Sequence, residues 1–155
     1  MSIQIQQQAP DFTLVNSEKE SITLSALQGK NVVILFFPFA FTSVCTAELC
    51  DVRDNYSAYQ SLNAEILAIS VDSVFTLDKW KQEMNYPFHM LSDFNKEVST
   101  AYDCIYDSFA FGTKGVSKRA AFVINASGTV CYAEVLENAG EMPNLEAIRA
   151  CLASL

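Results

Sequence analysis

Residues 32–50, VVILFFPFAFTSVCTAELC, contain the strand, turn and helix start on which the fold depends. The first six residues are apolar without alternation, as a central strand covered on both faces of a sheet requires. Pro38 ends that run. From Val44 onward, Ala47, Leu49, Val52, Tyr56, Tyr59 and Leu62 recur with the period of one helix face, predicting an amphipathic helix of about four or five turns. Thr42 or Ser43 is placed to cap it. Cys45 therefore falls in the first turn of a helix that follows a buried strand and a proline-started loop. Free backbone N–H groups at a helix start carry partial positive charge and favour the anionic form of a sulfur held there. Cys45 reads as a nucleophile.

Working outward, residues 65–71, EILAISV, read as a second buried strand, with helical stretches at about 74–84 and 96–102. Residues 119–125 and 129–135 flank Ala126-Ser127-Gly128 and read as an antiparallel hairpin. A closing helix runs from Pro143, a good first-turn residue, to Leu152. Strands alternating with helices, then a hairpin and a final helix, predict an α/β domain with a central mixed sheet flanked by helices. Residues 1–155 carry no repeat, linker or low-complexity tract and read as a single domain. Residues 103–117 form the longest stretch without a pattern. With Tyr106, Phe109, Phe111, Gly112 and Gly115, this stretch reads as a loop lying over a site or a partner surface.

Half of the 155 residues are hydrophobic, enough for a full core without disulfide staples or a structural metal. The N-terminal residues lack a basic stretch followed by an apolar run, and no apolar segment approaches a membrane span, so a soluble, cytoplasmic protein is expected. Ten basic against eighteen acidic side chains give a formal charge of −8, which opposes phosphate backbones and anionic lipid surfaces. Neither nucleic acid nor membrane is an expected partner. The five cysteines, at 45, 50, 104, 131 and 151, are odd in number and irregularly spaced, unlike a secreted disulfide framework. Cys104, in a loop, reads as structural, with resolution from a second subunit as the alternative, and Cys131 and Cys151 read as core residues. His89 is the lone histidine and no C-x-x-C is present, so no metal and no cofactor is expected.

Pro38, Thr42 and Cys45 fit the pattern P-x-x-x-[TS]-x-x-C, and on these residues the chain resembles the peroxiredoxins, thiol peroxidases of thioredoxin-like fold. Ala9-Pro10-Asp11-Phe12 and Arg119, within KRAAFVIN at 118–125, extend the resemblance over nearly the whole chain. Attack on a peroxide O–O bond needs a sulfur anion, an in-line peroxide and stabilisation of charge on the leaving oxygen. Cys45 suits the first role. Arg119, permanently charged, suits the stabilisation of the thiolate and the leaving alkoxide or hydroxide. Thr42 offers a hydroxyl three residues before the sulfur, and Pro38, without an N–H, limits water and directs the loop. Phe39 and Phe41 are expected to form an apolar collar. The resemblance implies that backbone N–H groups near Val44 and Cys45 complete a peroxide pocket, and that the protein is a homodimer. Glu48 opposes a nearby thiolate unless it binds and orients a cation, either Arg119 or Arg53. Ala120 stands where the family commonly has Ser or Thr, removing a supporting hydrogen bond.

Cys50 lies five residues after Cys45. In an intact helix that spacing separates the Cα atoms by about 8 to 9 Å, beyond the roughly 4.4–6.8 Å of a disulfide. A Cys45–Cys50 bond requires the first helical turns to unwind. The spacing resembles the two-cysteine peroxiredoxins of bacterioferritin-comigratory (PrxQ) type, whereas LFFPFAFTSVC, MLSDF and YAEVLENAGEMPN resemble the AhpE-like group, many of which use one cysteine. The expected function is a thiol-dependent peroxidase that reduces hydrogen peroxide and organic hydroperoxides through a Cys45 sulfenic acid. Cys50 would resolve it as an intramolecular disulfide, recycled by a thioredoxin- or glutaredoxin-like protein. The alternatives are a one-cysteine peroxidase with Cys50 structural, a thiol–disulfide oxidoreductase, which usually carries C-x-x-C, and a redox sensor on the same fold.

Overall fold

The computed structural model describes residues 2–155; Met1, counted in the expected domain, lies outside the described residues. One sheet of seven strands runs in the order β2-β1-β5-β4-β3-β6-β7. Its strands are β1 (Thr13–Asn16), β2 (Ser21–Thr23), β3 (Asn31–Phe36), β4 (Ala64–Ser70), β5 (His89–Ser92), β6 (Arg119–Ile124) and β7 (Val130–Leu136). The centre is parallel, β3 on β4 and β4 on β5, while β6 runs antiparallel to β3, and β7 to β6. The expected mixed α/β sheet and the 119–135 hairpin are both present.

The unalternating run in β3 has a direct cause. Val32, Ile34 and Phe36 enter one core with Leu67, Ile69 and Phe122, while Val33, Leu35 and Phe37 enter another with Ile66, Trp80 and Val123. Each such side chain taken fully out of water stabilises the fold by about 1.5–3 kcal/mol.

The predicted long helix is two helices, α1 (Ser43–Asp54) and α2 (Tyr56–Ser61). Asn55 separates them at φ −109° and ψ 17°, and its side-chain amide donates to the Asp51 carbonyl at 2.9 Å. Local capping at that residue interrupts the backbone, yet Leu49, Val52 and Tyr59 reach the same core, so the apolar period continues across the break. The other helices are α3 (Val74–Met84), α4 (Glu97–Ala101) and α5 (Leu145–Ala153). Asn144 caps α5 by accepting from the Ala147 N–H at 2.9 Å, so Pro143 precedes the cap instead of standing in the first turn. Among the described residues no helix is long and apolar enough to cross a membrane.

The antiparallel register of β3 and β6 pairs Phe36 with Ala120. The end of β3, which leads into the cysteine loop, therefore lies beside Arg119 at the start of β6.

Candidate active site

The loop between β3 and α1 is held from below. The Ala40 N–H donates to Asp72 Oδ2 at 2.8 Å, and the Ser70 hydroxyl donates to the same oxygen at 2.6 Å. Burial raises Asp72 above the ordinary carboxylate value, against the two hydrogen bonds. Phe41 then takes a left-handed backbone, φ 67°, which turns the chain into the helix. Thr42 occupies the cap position, but its hydroxyl donates to the Phe39 carbonyl at 3.0 Å and makes no capping hydrogen bond to α1. The expected Thr42 or Ser43 cap is not made. The helix start is left open where Val44 and Cys45 line a cavity.

Cys45 is fully buried and Arg119 nearly so. Arg119 Nη2 donates to Cys45 Sγ at 3.3 Å, and Nη1 donates to Glu48 Oε1 at 2.8 Å. Cys45 and Glu48, three apart on α1, thus converge on one guanidinium. Of the two cations considered for Glu48, Arg119 is the one engaged. Arg53 instead donates to the Met84 carbonyl and to Asp54, at 2.7 and 3.0 Å. For Arg119, burial works against the charge, but Cys45 and Glu48 outweigh it and hold the guanidinium above its usual value. For Glu48, burial wins over the single shared cation and pushes the carboxyl up to about 7. Its second oxygen, Oε2, has no hydrogen-bond partner among the described residues.

A third anchor escapes sequence reading. The Ala139 carbonyl accepts from Arg119 Nη2 and Nε, at 2.9 and 3.2 Å. Its turn is set by Asn138, whose side-chain oxygen accepts the Gly140 N–H at 2.9 Å. Asn138-Ala139-Gly140 signals a turn, but nothing in those letters says which side chain the carbonyl meets. Ala120 supplies no hydroxyl and is buried on the other face of the sheet.

The cavity in front of Cys45 measures about 230 Å³ and is lined by Pro38, Phe39, Thr42, Val44, Phe109 and Arg119, among others. The Phe39 ring lies 6.2 Å from that of Phe109, which stacks on Tyr106 at 4.7 Å. The loop 103–117 does lie over the site. Phe41 does not line the cavity: its left-handed backbone sends the ring toward Trp80, 5.9 Å between centroids. The apolar collar is Phe39 with Phe109.

Cys50 packs against the core with its sulfur 3.8 Å from the Tyr86 hydroxyl, in the same uninterrupted helix as Cys45. Both thiols are free. Cys104 is buried, and burial with the Asp93 charge raises its thiol far above the ordinary value. Cys131 and Cys151 are partly exposed; Cys151 packs against the core, whereas Cys131, expected there too, does not. β7 is an edge strand with a pairing irregularity beside Cys131, and Cys151 Sγ rests 3.7 Å from the Cys131 carbonyl oxygen. His89 lies on β5 with Nδ1 3.4 Å from the Asn16 amide.

The sequence profile of the AhpC/TSA family matches residues 5–133. Alkyl hydroperoxide reductase E of Mycobacterium tuberculosis is 35% identical over 150 residues, 95% of this chain and 94% of that protein. Peroxiredoxin Bcp of Bacillus subtilis is 35% identical over 129 residues, 83% of this chain and 82% of its own. The crystal structure of peroxidoxin BcpB of Mycobacterium tuberculosis superposes with a TM-score of 0.86 at 25% identity, covering 97% of both chains. The mixed sheet with its flanking helices is the thioredoxin-like fold of these proteins, and the chain belongs to the AhpC/TSA family, the peroxiredoxins, as a thiol-dependent peroxidase.

Proposed function

We propose that Cys45 is the peroxidatic nucleophile. Its thiolate attacks the distal oxygen of a hydroperoxide, the S–O bond forms as the O–O bond breaks, and a sulfenic acid and an alcohol or water result. The observation that carries this reading is the buried Cys45 sulfur, 3.3 Å from Arg119 Nη2, at an uncapped helix start opening on a cavity. Arg119 stabilises the thiolate and the leaving oxygen. Thr42 and the Val44 and Cys45 N–H groups position the peroxide, and Pro38, Phe39 and Phe109 keep water out. A cavity of about 230 Å³ far exceeds the roughly 30 Å³ occupied by one water, which supports organic hydroperoxides as substrates beside hydrogen peroxide. Stopped-flow mixing of the reduced protein with hydrogen peroxide and with cumene hydroperoxide, followed by mass spectrometry of Cys45, tests the assignment. Fast stoichiometric oxidation that disappears in Cys45→Ser is expected. Oxidation at the rate of a free thiol would overturn it.

Cys50 is the proposed resolving cysteine, condensing with the sulfenic acid after the first turns of α1 unwind, and a thioredoxin- or glutaredoxin-like protein reduces the disulfide. Its contact with Tyr86 inside a continuous helix favours a second reading, a one-cysteine enzyme in which Cys50 is structural. Turnover of Cys50→Ser with thioredoxin at the wild-type rate would select that second reading. The 155 residues are proposed to work as one domain, supported by a single sheet with helices on both sides. Five free thiols suit a reducing compartment such as the cytoplasm, where the protein would remove peroxide. Half-exposed Phe41 and fully exposed Phe111 support a homodimer that covers them.

A further inference from the structure

Three ionisable side chains are buried together behind the cavity. Cys45 and Glu48 are fully buried, and Arg119, at 2% exposure, stands between them. Arg119 keeps its proton throughout the accessible pH range, so the cluster holds one fixed positive charge and two acids. With both acids ionised, it would carry an unbalanced negative charge away from water, which is strongly disfavoured. Among the described residues the surroundings supply no second cation to the cluster. Glu134 on β7 adds like charge toward Glu48, and Tyr59 on α2 faces it as a neutral phenol. Arg149 of α5 is spent on the Tyr59 hydroxyl at 3.4 Å and on Asp51 at 3.7 Å. Neutrality leaves one proton to be held between Cys45 and Glu48.

We propose that Glu48 is a proton store matched to Cys45: it is a neutral carboxylic acid while the sulfur is a thiolate, and it ionises when the sulfur is oxidised. This rests on the reading of Cys45 as the peroxidatic cysteine. The unpartnered Oε2 supports the neutral form, because a charged oxygen left without a donor in the interior costs more than a neutral one. The carboxyl value near 7 has the same direction. When Cys45 becomes a neutral sulfenic acid, Arg119 loses its sulfur anion, and Glu48, 2.8 Å from Nη1, is the anion that replaces it. The step balances. Thiolate, hydroperoxide and Glu48 acid become sulfenic acid, alcohol and Glu48 carboxylate. Sulfur loses two electrons, the broken O–O bond gains them, and the proton released by Glu48 matches the one taken up by the leaving alkoxide. The buried cluster is neutral before and after. Glu48 acts through Arg119 and the shared charge, as a positioning residue for the proton.

The reading is a proton count. The reduced protein is mixed with hydrogen peroxide in weakly buffered indicator solution near pH 6.5, and the same samples are analysed for Cys45 oxidation. Wild type is expected to take up almost no proton from solvent. Glu48→Gln, which keeps the shape of the acid but holds no transferable proton, is expected to take up about one proton per oxidised sulfur. Equal uptake in the two proteins, whether none or one, overturns the proposal. If Glu48→Gln does not fold, infrared difference spectra of wild type decide it. A protonated carboxyl band must vanish on oxidation and stay unchanged in Cys45→Ser; no such loss overturns the proposal. Absence of Cys45 oxidation would instead remove the peroxidatic reading itself, and the mass spectra separate the two failures.

Discussion

Arg119 makes its contacts from one planar group: Nη2 to the Cys45 sulfur, Nη1 to Glu48, and Nη2 and Nε to the Ala139 carbonyl. A lysine ammonium is a point donor on a flexible stem and cannot hold all three directions. Arg119→Lys is expected to slow Cys45 oxidation by about 100-fold in stopped-flow measurements; an unchanged rate would remove Arg119 from the chemistry. Glu48 gives a stability prediction. Its carboxyl, raised from 4.5 to about 7 in the fold, is favoured in the protonated form. That contribution is fully present below about pH 4.5 and is lost as the pH rises through 7, on the order of 3 kcal/mol over the window. Urea unfolding of the reduced protein at pH 5 and pH 8 should show this loss, and Glu48→Gln should abolish it. A loss of equal size in the variant would assign it to other groups. At this scale the sequence shows residues whose type suits the proposed chemistry, Cys45, Thr42, Pro38 and Arg119. It does not show the Ala139 carbonyl, since every residue has one. It also assigns Phe41 to the cavity, because backbone sign at that residue, and not side-chain type, decides where the ring points.

Under the proposed resolution by Cys50, the helix α1 has to be stable enough to aim Cys45 and labile enough to release Cys50. It starts without a side-chain cap, a loss of about 1 kcal/mol relative to a capped start. If Cys50 resolves Cys45, hydrogen exchange should detect the opening: amides of residues 43–50 are expected to exchange at least about 10-fold faster after peroxide addition, and not in Cys50→Ser. Unchanged protection with a disulfide present would contradict the unwinding step. The loop before α1 depends on Asp72 from beyond the end of β4, which accepts the Ala40 N–H. Asp72→Ala leaves that N–H without its acceptor, at a cost of about 1–3 kcal/mol, and should lower both the melting temperature and the Cys45 oxidation rate. A stable variant with wild-type kinetics would mean the loop is held elsewhere. Long apolar runs made β3 and β4 legible. β1, β2 and β5 are not legible in the sequence, because strands of three or four residues with polar positions offer too little period to separate from loop.

Across the whole molecule, the site is an assembly of distant segments. Phe109, from the loop 103–117, closes the cavity opposite Phe39. Removing it withdraws apolar wall from the cavity, wall that under the proposed function a bulky hydroperoxide would touch more than hydrogen peroxide would. Phe109→Ala is therefore expected to reduce kcat/KM for cumene hydroperoxide by about 10-fold while changing that for hydrogen peroxide little. Equal effects on both would show that the ring supports the site without contacting substrate. The alternation of β3, α1, β4 and α3 and the closing hairpin and helix are legible at this scale; the meeting of Arg119 with Cys45, 74 residues apart, becomes visible only through the β3–β6 register.

With Cys45 as the proposed nucleophile, that register would also set when the thiol becomes reactive. On an emerging chain, Cys45 leaves the ribosome long before Arg119, and a short unsupported helix is marginal in water. Until β6 zips antiparallel along β3, the sulfur lacks its guanidinium, and on the proposed role of Arg119 it would then react as an ordinary free cysteine does. Peroxide reactivity thereby becomes a clock for the last long-range closure, a slow class of contact in folding. In refolding experiments it should appear after helical signal has recovered.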